Sequence, residues 1–170
     1  HYMKIALAQL NSTVGDLKNN VERIVSYINL ARERNADLVV FPESALTGNP
    51  ARGLLSRPDY IEAAKAALNQ VVPYTSGIGV ILCTGLSSTG SGRQESSAVL
   101  IDNGSISGCM VLNELGFIKF RDLSLAISNC MELPAQAHLY KKADILINLG
   151  AKSYRFNNLK NRIEKFSEIA

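Results

Sequence analysis

Apolar residues along this chain come in two rhythms, short β-rich runs and stripes at three- and four-residue steps, and their alternation predicts a layered α/β fold. Lys4 to Gln9 is the first run, followed by a polar loop from Asn11 to Gly15. Asp16 suits the N-cap of a helix whose stripe is Leu17, Val21, Ile24, Val25 and Ile28. Arg32 and Arg34 favour the negative end of its dipole, and Asn35 a left-handed stop before the next run. A second helix is expected from Pro58, with Ile61, Ala64, Leu68, Val71 and Val72 on one face. Gly79 to Leu86 reads as a buried strand, and Ser87 to Gly92, lacking the ending of a phosphate-binding loop, as a flexible hairpin tip. Two hairpins follow, one turning at Asp102-Asn103-Gly104 between 97–101 and 105–112, the other at Arg121-Asp122 between 117–120 and 123–129. A short helix beginning near Pro134, a buried strand over 144–149 and a last helix striped by Leu159, Ile163, Phe166 and Ile169 complete the pattern.

The run Leu38 to Phe41 is continuously apolar, as a strand covered on both faces must be. Pro42 has no N–H for the ladder and ends it. Glu43 therefore falls at the carboxyl end of a parallel strand, where open α/β sheets place their ligands. A carboxylate there serves either as a turn cap before Ala45 or as an acid–base group.

Composition narrows the field. The 170 residues, 46% hydrophobic and 19% charged, suffice for one domain with a core, expected over 3–170, and His1-Tyr2 before Met3 reads as a cloning remnant. A net charge of +3, spread along the chain, calls for neither nucleic acid nor an anionic membrane. No run reaches the roughly 20 apolar residues of a membrane span, so cytoplasmic residence is the expectation. Cys83, Cys109 and Cys130 are too few and too scattered for a disulfide framework or a zinc site, and no metal or cofactor is expected. Cys83 and Cys109 sit within apolar runs and read as small core residues.

Cys130 differs, because it stands where an alternating strand, Leu123 to Asn129, meets a turn and helix. Unpaired backbone N–H groups and a helix N-terminus favour thiolate at such a junction. A buried structural cysteine is the other reading. Gly150 to Tyr154 lies beyond another strand end and could line the same crevice as Glu43 and Cys130.

Taken together, KIALAQLNSTVGDLKNNVERI at 4–24, DLVVFPESALTG at 37–48, RPDYIEAAKAAL at 57–68, the strand-end cysteine and INLGAKSYRFNNLKNR at 147–162 resemble the nitrilase superfamily of carbon–nitrogen hydrolases. Within it the resemblance is to the glutaminase domain of glutamine-dependent NAD synthetases. It implies an α-β-β-α sandwich and a Glu–Lys–Cys triad, with Glu43 as general base and Cys130 as nucleophile toward a small amide such as glutamine. Glu132, Ser153 and Tyr154 are the implied substrate contacts.

Three departures qualify that expectation. The segment that carries the family's catalytic lysine is missing, since Gly108 to Gly116 runs almost directly into Phe117, and Lys119, inside a strand, points the wrong way to replace it. Lys152 also stands where relatives often have a serine. The chain ends at Ala170, where relatives continue, so the sandwich is expected to be truncated and completed by self-association or a second chain. Enzymatic activity is left open between an amide hydrolase with impaired turnover and a catalytically degenerate binding or assembly subunit.

Overall fold

The computed structural model describes residues 2–49, 51, 53–88, 94–111, 116–128 and 141–150. These form two helices, α1 (Leu17–Glu33) and α2 (Pro58–Val71), and eight strands. The strands are β1 (Ile5–Leu7), β2 (Leu38–Val40), β3 (Gly79–Ser88), β4 (Gln94–Asp102), β5 (Ser105–Val111), β6 (Gly116–Phe120), β7 (Leu123–Ser128) and β8 (Ile145–Asn148). Five of them make one sheet in the order β1-β2-β3-β4-β5, and three make a second in the order β6-β7-β8. The first three are parallel, as strands joined through helices must be, and the hairpins add β4 and β5 antiparallel. In the smaller sheet β7 pairs antiparallel with β6 and parallel with β8.

Burial explains the unbroken apolar run of β2. Val39 and Phe41 join Ile24, Ile28, Leu68 and Val71 in a core between the helices and the large sheet. Leu38 and Val40 face the other way, into a second core with Ile118, Phe120, Leu125, Ile127 and Ile147 of the small sheet. Alternate residues thus enter different cores and all must be apolar. Three layers, helix, sheet and sheet, are described; the helices expected after Cys130 and over 159–169 lie outside the described residues. Glycines let the sheets approach closely: a Cβ on Gly79 would lie 2.4 Å from the Phe120 ring, and one on Gly108 would lie 3.3 Å from Ile118 Cγ2.

Local signals account for the element ends. The Asp16 carboxylate accepts the Asn19 N–H at 3.2 Å, Asn35 adopts φ 56° after α1, and Pro58 occupies the first turn of α2. Asn103 and Gly104, at φ 47° and 81°, make the left-handed turn that a two-residue hairpin requires. Two expectations are corrected. Ser87 and Ser88 belong to β3, paired with Glu95 and Gln94 past an irregularity after Thr84, because the ladder uses backbone groups whatever the side chain. Cys109 is exposed rather than in the core. It pairs with Val99 and shares its face, but among the described residues β5 is the edge strand and neither helix covers it.

At the end where β2 begins, Asp37 ties the layers together. Its carboxylate accepts the Lys4 N–H at 2.8 Å and a guanidinium N–H of Arg121, from the β6–β7 turn, at 2.5 Å. Arg121 also lies over the Phe120 ring, 5.0 Å from its centre. The Lys4 N–H and then Arg121 hold the Asp37 carboxyl below the usual carboxylate range. A carboxylate with a depressed folded pKa stabilises fully above its unfolded pKa, and that contribution is lost as pH falls through the folded value. Asp37→Asn is therefore expected to destabilise the fold by about 1 kcal/mol at neutral pH, the ion pair being half exposed. Urea unfolding of both proteins checks this, and the difference should shrink as acid protonates the Asp37 carboxylate, at a lower pH than an unperturbed carboxylate would require.

Candidate active site

β2 ends because its ladder runs out of donors. The Phe41 N–H donates to the Ile81 carbonyl at 3.0 Å, and Pro42 has none to give. The next donor, the Glu43 N–H, turns to the other sheet and meets the Leu149 carbonyl, just past β8, at 3.2 Å. The Leu149 N–H in turn donates to the carbonyl of Ser128, the last residue of β7, at 2.7 Å. Three strand ends from two sheets are thereby joined by backbone hydrogen bonds, with the partly buried Glu43 at their junction. Beside it Asn148 Oδ1 accepts the Gly150 N–H at 3.3 Å.

The turn after Glu43 is held from outside. Ser44 takes φ 60°, a left-handed conformation that costs a non-glycine residue about 1–3 kcal/mol and needs support from its surroundings. Three successive carbonyls of this turn accept hydrogen bonds from the segment around the start of α1. Ala45 O receives the Ser12 hydroxyl at 2.5 Å, Leu46 O the Asn20 amide at 3.0 Å, and Thr47 O the Gly15 N–H at 3.1 Å. Gly48, at φ 76°, has no room for a Cβ, which would come 2.6 Å from the Val14 backbone.

Of the residues expected at the site, Glu43 is placed as read, at the carboxyl end of a strand with parallel neighbours on both sides. Cys130, Glu132, Ser153, Tyr154 and Lys152 lie outside the described residues. Cys130 follows Ser128 by two residues in the chain. Glu43 and β7 belong to different sheets, so the strands that carry the acid and precede the thiol are not sheet neighbours. Lys119 is exposed between buried Ile118 and Phe120, so its strand sends it away from the space between the sheets.

Cys83 was read only as core and is more than that. It is buried near Glu43 and the Ser44 backbone N–H. Burial first, and then the nearby Glu43, push the thiol up to about 12, while the Ser44 N–H acts in the opposite direction. Cys83 is a neutral thiol at physiological pH, unsuited to nucleophilic attack. A carboxylate at such a junction can take a proton from a group on an adjoining strand end and return it later. Among the described residues no cluster of three or more His, Cys, Asp or Glu could hold a metal ion, and no helix is long and apolar enough to cross a membrane.

The profile of carbon-nitrogen hydrolases matches residues 4–109. The glutamine-dependent NAD(+) synthetase of Xanthomonas campestris pv. campestris is 39% identical over 83 residues, 48% of this chain and 15% of that protein. The solved glutamine-dependent NAD+ synthetase of Acinetobacter baumannii superposes with TM-score 0.81 at 21% identity, over 98% of this chain and 36% of that one. A mutant of the amidase from Nesterenkonia sp. AN1, which shows acrylamide added at its active-site cysteine, gives TM-score 0.75 at 17% identity, over 93% of this chain and 70% of that one. The alignments with curated relatives thus span under a fifth of those proteins' lengths.

The two described thiols should differ sharply toward alkylation. With iodoacetamide at about pH 8, peptide mass spectrometry of the folded chain should find Cys109 modified and Cys83 spared, because only thiolate reacts and Cys83 is buried and neutral. Urea should remove the protection.

Proposed function

Since the chain belongs to the carbon–nitrogen hydrolase family, we propose that it hydrolyses a small amide, glutamine in the first instance, to the acid and ammonia. Cys130 adds through sulfur to the amide carbon after giving its proton to Glu43. The tetrahedral intermediate breaks its C–N bond as Glu43 returns that proton to the departing ammonia. Water then attacks the thioester, Glu43 taking its proton, and the C–S bond breaks as Glu43 returns that proton to the departing sulfur, releasing glutamate and restoring the thiol. Glu132, Ser153 and Tyr154 hold the substrate. The observation that carries this reading is the pair of hydrogen bonds from Glu43 to Leu149 and from Leu149 to Ser128, which bring the acid to the end of the strand that leads into Cys130. Relatives named as glutamine-dependent synthetases, and an amidase with an active-site cysteine, support the substrate class and the nucleophile.

A second reading rests on the missing cation. Only Leu112 to Leu115 join β5 to β6, with no lysine among them, and Lys119 faces solvent. A single preorganised donor to a developing oxyanion is worth roughly 3 kcal/mol, so turnover without it falls about 10²–10³-fold. On this reading the chain is a binding or assembly subunit, self-associated or completing a larger sandwich.

Ammonia release from glutamine distinguishes the two. The wild-type chain should release ammonia, Cys130→Ala should abolish it, and Glu43→Gln should lower it by roughly 10²–10⁴-fold. Turnover that survives Cys130→Ala would remove the thiol from the mechanism. A folded, oligomeric and inert wild-type chain would establish the second reading.

A further inference from the structure

Asn20 is a polar residue on the inner face of α1, fully buried among Val21, Ile24 and Ile28. Its amide makes three hydrogen bonds. Oδ1 accepts the Thr13 N–H at 3.0 Å, and Nδ2 donates to Thr13 O at 2.8 Å and Leu46 O at 3.0 Å. Of the three bonds that hold the carbonyls after Glu43, this one starts from a side chain on the rigid body of a helix; the other two start from the loop before it. By gripping Thr13 through both its N–H and C=O, Asn20 also holds that loop, whose Gly15 supplies the bond to Thr47. A helix stripe asks for an apolar residue here, and burying an amide is tolerable because its oxygen and both its N–H groups are hydrogen bonded.

We infer that Asn20 is a positioning residue for Glu43, fixing the turn that carries the acid to α1 so that its carboxylate meets the reacting group in one orientation. The inference rests on the proposed role of Glu43 and adds a second-sphere requirement to it. Glu43 remains the catalytic residue. Asn20 touches neither substrate nor thiol in this scheme and acts through Leu46 and Thr13.

The test compares Asn20→Leu, of similar volume without the hydrogen bonds, and the milder Asn20→Ser with Thr75→Val. Thr75 is a matched control. It is equally buried and doubly hydrogen bonded, to Val72 O at 2.8 Å and from Gly104 N at 2.9 Å, but it precedes β3 at the opposite end of the sheet. Each variant is assayed well below its own melting temperature for glutamine turnover, and the carbon-13 NMR signal of the Glu43 side-chain carboxyl, assigned with Glu43→Gln, is compared at one pH. Displacement of a catalytic group by about 1 Å costs up to roughly a hundredfold, so a folded Asn20 variant should lose about ten- to a hundredfold in kcat with KM little changed. Its Glu43 carboxyl signal should also shift, while Thr75→Val keeps the wild-type kcat and signal. Should Asn20→Leu not fold, Asn20→Ser supplies the comparison. A Glu43 carboxyl signal that stays in place in a folded Asn20 variant, or shifts equally in Thr75→Val, overturns the inference whatever happens to turnover. If the wild-type chain hydrolyses nothing, the proposed function fails, and the carboxyl signal alone decides the positioning role.

Discussion

The hydrogen bond from the Glu43 N–H to the Leu149 carbonyl is where the two sheets become one structure at their chemical end. Packing alone does not fix such a junction, because apolar side chains attract without regard to direction, and two sheets can slide over each other at small cost. A directional bond between strand ends removes that freedom. It exists because of one residue: Pro42 cannot donate to β3, so the chain leaves the ladder one residue before Glu43, and the next N–H is free to reach across. The same proline that stops the strand therefore sets the acid's position relative to β7 and β8.

Most of the fold was legible because its constraints are local or periodic. The stripe from Leu17 to Ile28, the caps at Asp16 and Asn35, Pro58, and the Asp102-Asn103-Gly104 turn all act over a few residues, and each stands where it was read. The unbroken run in β2 also told correctly that both of its faces are covered. Errors arose where the outcome depends on which strand lies at an edge. Cys109 has the sequence surroundings of a core residue, and it is exposed because, among the described residues, β5 has no strand beyond it in its sheet and no helix covering it. Alternation in one strand carries no information about where that strand sits in the order.

The candidate site was less legible, for a related reason. The place of Glu43, just past an apolar run and a proline, was legible, while its use as a turn cap before Ala45 or as an acid–base group was not. Nor were its neighbours. Cys83 comes beside it through the parallel register that sets Val40 against Ile81, which a β-rich run cannot reveal. Asn20 did leave a trace, an amide three residues after Leu17 and four before Ile24, on the apolar face of a helix. A polar residue in such a place signals a specific partner, because unsatisfied it would cost about 1–3 kcal/mol. The partner itself, the carbonyl of Leu46, is 26 residues away and follows only from the fold.

The two ends of the sandwich are closed by different chemistry, and the difference bears on what each can tolerate. Where β2 begins, the clasp is ionic: Asp37 takes the Lys4 N–H and the half-exposed Arg121 guanidinium. Such a clasp weakens with salt and is lost in acid as its carboxylate is protonated. Where β2 ends, the bonds among Glu43, Leu149 and Ser128 run between backbone amides and carbonyls, which neither titrate nor respond to salt as ion pairs do. The Cys83 thiol near Glu43 is likewise kept neutral by burial through the physiological range. A junction built in this way can carry a carboxylate while the frame around it keeps its shape, as the acid–base role proposed for Glu43 requires.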